Sequence, residues 1–228
     1  MSDFVDIKVV SSQKEFDDAM LVRRQVFVDE QKISPELEFD GNDFSATHLV
    51  AYFEGSPVGT IRLRYFKDFV KIERLCITKN MRKTNTSALL IESSLSLCAA
   101  KGFEHAHALC KKELLDRWAK AGFFPIENAP SVSQNGMTLV PIAKKLTLPQ
   151  DHITLQTSPE ILNLREGEWF ESQKIGGSSA LDRAEQIKHF ASMADKIRTL
   201  KIAPNIRPLN WHPPLRYDVV DFFQSKTK

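Results

Sequence analysis

The chain has 228 residues, of which 42% are hydrophobic and 26% charged, with a formal net charge of +2. This is ordinary globular composition, long enough for one large domain or for one domain and a substantial extension. The near-neutral balance, spread evenly along the chain, gives no electrostatic reason to expect nucleic acid or an acidic membrane surface as a partner. No apolar run approaches the ~20 residues of a membrane span. The opening MSDFVDIKVV lacks the basic and apolar regions of a secretory signal. Three widely spaced cysteines read as reduced thiols. The expectation is a soluble, cytoplasmic protein.

Phe4 to Val10 alternates apolar and polar residues and predicts a first strand. Ser12-Gln13-Lys14-Glu15 is a capping box, and it predicts a helix running to about Gln31 with Phe16, Ala19, Met20, Arg23, Val26 and Phe27 near one stripe. The acidic stretch from Pro35 to Asp43 reads either as a solvated turn or as part of a site; its spacing is not that of a calcium loop. Thr47–Phe53, Val58–Phe66 and Val70–Ile77 follow in quick succession, joined by short turns, and predict an antiparallel meander. Arg62 and Arg64 alternate on one face of the second of these, either steering an anionic acceptor or facing water.

After Ile77 a basic loop with Lys79, Arg82 and Lys83 leads to a helix at about Thr86, with Ala88, Ile91, Leu95 and Cys98 at helical spacing and Gly102 as C-cap. A strand, a basic turn and a helix N-terminus in that order make either a candidate anion site, because the first-turn N–H groups are unpaired and the dipole end is positive, or an ordinary βα connection whose basic residues face water. His105–Cys110 predicts a strand, Lys111–Ala121 a short helix ended by Gly122-Phe123, and Met137–Leu146 a last strand. The order β-α-β-β-β-α-β-α-β defines an α+β fold with a mixed, mostly antiparallel sheet flanked by helices. His105 and His107 share a strand face, but two ligands do not make a zinc site, and no metal is expected.

In that order, three pieces resemble the GNAT superfamily of acyl-coenzyme-A-dependent N-acyltransferases over roughly residues 4–147. They are Val22-Arg23-Arg24-Gln25-Val26-Phe27-Val28-Asp29-Glu30-Gln31 with the later Thr47-His48-Leu49, Lys71-Ile72-Glu73-Arg74-Leu75-Cys76-Ile77 followed by Arg82, and Trp118-Ala119-Lys120-Ala121-Gly122-Phe123. The resemblance implies an acetyl-CoA or other acyl-CoA co-substrate and a small-molecule or peptide amine acceptor. Its pantetheine arm would pair with the backbone of Leu75, Cys76 and Ile77. The pyrophosphate would lie on the loop Arg82, Lys83, Thr84, Asn85, Thr86 and Ser87. Glu73 is the candidate base, relaying through water, or else a structural partner of a neighbouring Arg or Lys. The acyl group would pass directly to the amine in a ternary complex. The acidic loop and Glu30 hint at a cationic acceptor.

Two departures from the family pattern qualify this. Asn85 and Ser87 stand where the family loop usually has glycines that allow positive φ. Asparagine tolerates the left-handed region and Ser87 can cap or donate, so weaker but real coenzyme A binding is expected. Trp118 stands where many members have an acidic tyrosine; Cys110 is a substitute proton donor or a packing residue. Alternatives left open are a non-catalytic CoA sensor or scaffold and an acyl-homoserine-lactone-synthase-like activity.

Pro149-Gln150 marks the expected boundary between a domain over 1–148 and an extension over 149–228. Ser158-Pro159-Glu160 is a helix start, an amphipathic helix is predicted over about 179–200, and Ala203–Tyr217 is a proline-rich extended segment. The extension would pack on the core, on a second subunit to form a homodimer, or serve to select the acceptor.

Overall fold

The structure, a computed structural model, describes residues 5–134 and 137–168. Its strands are β1 (Asp6–Val9), β2 (Thr47–Phe53), β3 (Ser56–Tyr65), β4 (Val70–Ile77), β5 (His105–Lys111), β6 (Phe124–Pro125), β7 (Val132–Gln134) and β8 (Met137–Lys145). They form one sheet in the order β1-β2-β3-β4-β5-β8-β6, with β7 on β8. The β4–β5 pair is parallel and the other pairs are antiparallel. The helices are α1 (Gln13–Arg23), α2 (Pro35–Glu38), α3 (Thr86–Ala100), α4 (Leu115–Lys120) and α5 (Pro159–Leu162). This is the α+β, mostly antiparallel arrangement that the sequence predicts.

The capping box forms: Ser12 Oγ accepts the Glu15 N–H at 3.3 Å and the Glu15 carboxylate accepts the Ser12 N–H at 3.1 Å. The helix does not run regularly to Gln31, however. It changes at Arg24 into a π-helical segment, Arg24–Glu30, with the Gln31 N–H donating to Val26 O at 3.1 Å. Such wide turns are frequent at functional sites. Here the segment puts Phe27 in one cleft wall and Glu30 beside Arg82.

Helix α3 supplies the central packing behind the sheet. Leu90, Leu97 and Cys98 are fully buried in one cluster with Leu49, Ile61, Leu63 and Ile72. Ala88, placed on the apolar stripe by spacing, is exposed. The helix ends in a Schellman arrangement: Gly102 adopts φ +89, its N–H donates to Ala99 O at 2.9 Å, and the Phe103 N–H reaches Cys98 O at 3.0 Å.

After β8 the chain returns to this core. Leu148, Ile153 and Leu164 pack against it, and the Ile153 N–H donates to Ala100 O at 2.8 Å. Pro159 opens α5 at its first position, and the helix lasts four residues. The amphipathic helix over 179–200, the proline-rich segment and any dimer contact through them lie outside the described residues.

Candidate active site

The site begins with an irregularity in β4. The β3–β4 register passes from Arg62 opposite Glu73 to Thr60 opposite Cys76, a β-bulge, and Arg74 within it has φ +55. A non-glycine residue in that region costs roughly 1–2 kcal/mol. The Arg74 side chain holds it there through ion pairs to Glu38 at 3.0 Å and Asp40 at 3.2 Å. The bulge turns β4 away from β5, and their ladder stops at Ile72 opposite Ala108. A cleft of about 270 Å³ opens between the parted strands, lined by Glu73, Leu75, Leu109, Cys110, Lys111 and Trp118 among others. Of the predicted pantetheine-pairing residues, Leu75 lines the cleft, while the side chains of Cys76 and Ile77 are buried.

Over the bulge lies a buried ion network that the sequence reading missed. Arg23 and Arg62 have no exposed surface at all. Arg23 pairs with Glu38 at 2.6 Å and with Asp43. Arg62 bridges Asp40 and Asp43, each at 2.7 Å, and Glu73 at 2.8 Å. The acidic stretch is therefore not a solvated turn, since Glu38 and Asp43 are buried and neutralised by arginines. Nor is Arg62 an exposed strand residue. A signal was present: Arg23 stands inside an apolar helical stripe, where a charge must be paired.

Glu73 receives Arg62 on Oε1 and Lys71 on Oε2, the latter at 2.8 Å. Burial pulls its pKa up, but the hydrogen bond from Lys71 and the charge of Arg62 outweigh this and hold the carboxyl below its usual range. Asp43 is likewise held down by Arg23 and Arg62 against the effect of burial. These pairings leave little free negative charge, so the hint of a cationic acceptor loses its basis.

After β4 the loop delivers the N-terminus of α3. Asn85 adopts φ −81, so the left-handed backbone expected there is not used and the missing glycine leaves no strain. Ser87 Oγ accepts from Arg117 at 2.7 Å, which leaves its own O–H free to donate. Thr84 and Thr86 hydroxyls bond each other at 2.7 Å. Lys83 is exposed. Arg82 turns toward the π-helical segment, with both ends of its guanidinium on Glu30 at 2.6 and 2.5 Å. Beside the loop a second cleft of about 710 Å³ is lined by Asn85, Ser87, Arg117, Lys120 and Lys144. These last three cations were not singled out from the sequence; they converge only because α4 and β8 meet α3.

Trp118 is 8% exposed and packs edge-on against Phe123, with ring centroids 5.0 Å apart. Cys110 is buried, and desolvation raises its pKa, so it stays a thiol at neutral pH. Among the described residues no group of three or more His, Cys, Asp or Glu could hold a metal ion. No helix among them is long and apolar enough to cross a membrane.

A bulged strand parting from its parallel neighbour beside a helix N-terminus is the arrangement that the GNAT resemblance implies. Residues 13–146 match the acetyltransferase (GNAT) domain family model, so the chain belongs to that family and is a GNAT-type N-acyltransferase. It is 31% identical over 123 residues to the Bacillus subtilis (strain 168) protein YyaT, covering 53% of this chain and 79% of that one. It is 32% identical over 94 residues to the N-acetyltransferase YjcF of the same strain, covering 41% of this chain and 66% of that one. In fold it resembles an acyl-CoA N-acyltransferase from Pseudomonas aeruginosa, with a TM-score of 0.56 at 20% identity, over 62% of this chain and 99% of that one.

Proposed function

We propose that the protein transfers an acyl group from acyl-CoA directly to an amine, with the thioester in the β4–β5 cleft and the nucleotide end of the donor along the α3 N-terminus. The single observation that carries this reading is the end of the β4–β5 ladder at Ile72 and Ala108, which leaves the backbone beyond the Arg74 bulge free to pair with an extended arm. The donor fits the residues present. The Thr86 N–H is held by Thr84 Oγ1 at 3.3 Å, but the other first-turn N–H groups of α3 lack intrahelical partners, and backbone donors at a helix start suit a pyrophosphate. Arg117, Lys120 and Lys144 supply positive charge for further phosphate.

In the reaction the neutral amine nitrogen attacks the thioester carbonyl, the C–S bond breaks, and the proton lost by nitrogen ends on the departing sulfur. Glu73 is ionised and faces the cleft, so it stabilises positive charge developing on the nitrogen and accepts its proton through water, as a weak base. The thiolate leaves readily because its conjugate acid has a thiol-like pKa. Catalysis thus rests on position and electrostatics rather than on a covalent intermediate. The domain ends near 148, and the following segment to 168 braces it. A reducing, cytoplasmic setting suits its three free cysteines.

Titration calorimetry with CoA and acetyl-CoA, together with thiol release in the presence of amines, tests the proposal. Heat at submillimolar donor and amine-dependent thiol release are expected. No heat with either compound at millimolar concentration overturns the donor site. Binding without release on any amine overturns the catalytic reading.

A further inference from the structure

We propose that the acceptor is a primary amine that also carries a carboxylate, recognised by Lys111 on the β5 wall of the cleft; the proposal rests on the acyltransferase reading of that cleft.

The argument is one of charge. Two carboxylates line the cleft, Glu38 and Glu73, together with three cations, Lys71, Arg74 and Lys111. Both carboxylates are already matched. Glu38 is held by Arg23 and Arg74, and Glu73 by Arg62 and Lys71, with Arg64 a further 3.8 Å away. Lys111 has no such partner: among the described residues no carboxylate lies within 4.0 Å of its ammonium. It is half-buried, and Leu114, Trp118 and Leu139 line the same cleft. A cation that lines a cleft without a carboxylate of its own is a ready partner for an anionic group on a ligand.

Position agrees with charge. Lys71 pairs in register with His107, and Lys111 lies four residues further along β5 on the same sheet face. That places the two lysines about 13 Å apart along the strands, with Glu73 between them at the mouth of the opening. An acceptor with its amine at Glu73 would turn its carboxylate to the β5 wall, toward the flexible four-carbon stem of Lys111. Its apolar part would meet Phe27, Ile33, Leu37 and Met137, which line the same space.

The test compares phenylalanine, phenylalanine amide and phenethylamine as acceptors, read by thiol release from acetyl-CoA. The acid should exceed the amide in kcat/KM by about tenfold or more, the usual worth of a charge-assisted hydrogen bond in a partly dry site. Lys111→Met should reduce that ratio to about one by lowering turnover of the acid alone, and Lys111→Arg should restore most of it. In parallel, N-acetylphenylalanine and its amide are titrated into the protein saturated with CoA. The acid should bind about tenfold tighter, and it should lose that advantage in Lys111→Met. An amide or phenethylamine used as well as the acid overturns the proposal. Where no amine is turned over, equal binding of the two product analogues overturns it instead. Absence of CoA binding, by contrast, strikes the donor site first and is read separately.

Discussion

Glu30 holds Arg82 in a two-pronged contact, at 2.6 and 2.5 Å, that ties the π-helical end of the first helix to the loop preceding α3. The hydrogen bond from Arg82 lowers the Glu30 pKa, so the pair is fully charged at neutral pH. Arg82 cannot serve Glu30 and a pyrophosphate with the same donors. Glu30→Gln should therefore tighten CoA binding about two- to fivefold at low salt, with a smaller gain at high salt because the pair is exposed. Arg82→Ala should weaken it. Calorimetry at two ionic strengths checks both, and weaker binding by Glu30→Gln would show that Glu30 orients Arg82 instead of competing for it.

The buried network predicts a large stability effect. Arg62→Met leaves Asp40, Asp43 and Glu73 without their shared guanidinium. Removing one partner of a buried ion pair costs about 3–5 kcal/mol. Urea denaturation should show a loss in that range, whereas Arg64→Met, on the more exposed side, should cost under about 1 kcal/mol. Equal losses would place the network's weight elsewhere.

The pH dependence has two windows. His48 Nε2–H donates to Asp43 O at 3.2 Å, and buried Nδ1 has no partner among the described residues. Burial therefore depresses its pKa, as it does that of His107. A group with a depressed folded pKa adds stability above its unfolded value, near 6.5, and loses it as pH falls through the folded value. Asp40, Asp43 and Glu73 are also depressed and lose their contribution below about pH 4, while Glu38, raised by burial, works the other way. The melting temperature should fall by about 2–4 °C for each kcal/mol lost as pH is lowered from 7 to 5. His48→Gln should flatten that decline. A profile that is level down to pH 4.5 in the unaltered protein contradicts the assignment.

Trp118 offers no proton to a leaving thiolate. Trp118→Tyr places a phenol in the same wall, beside Phe123. If protonation of sulfur limits turnover, kcat should rise about three- to tenfold and acquire a basic limb, which is modest beside the gain a fully positioned acid gives. An unchanged kcat with the same pH profile would mean that the thiolate leaves unaided.

Much of this was legible in the sequence, and the reason is periodicity. The meander and α3 announce themselves through apolar spacing, and the capping box and Gly102 through residues with a single mechanical use. What stayed hidden was of two kinds. The bulge at Arg74 and the π-helical segment after Arg23 change the path of the chain without changing composition, so no local pattern reports them. The network depends on Asp40, Asp43, Arg62 and Glu73 meeting across the fold. On β3 alone, Arg62 and Arg64 look alike, and only the packing of the acidic stretch onto the sheet buries one and leaves the other at the surface. Asn85 misled for a related reason: the residue type suggested a backbone conformation that the loop never needs.

The Arg74 bulge has a kinetic meaning as well. Its unfavourable backbone is stabilised by Glu38 and Asp40, which belong to the folded protein itself. The parting of β4 from β5 is thus complete before any donor arrives, and the work of separating two strands falls within folding. An encounter with acyl-CoA should then proceed in one step, with a bimolecular rate that rises linearly with donor concentration and never levels off at the speed of an opening motion.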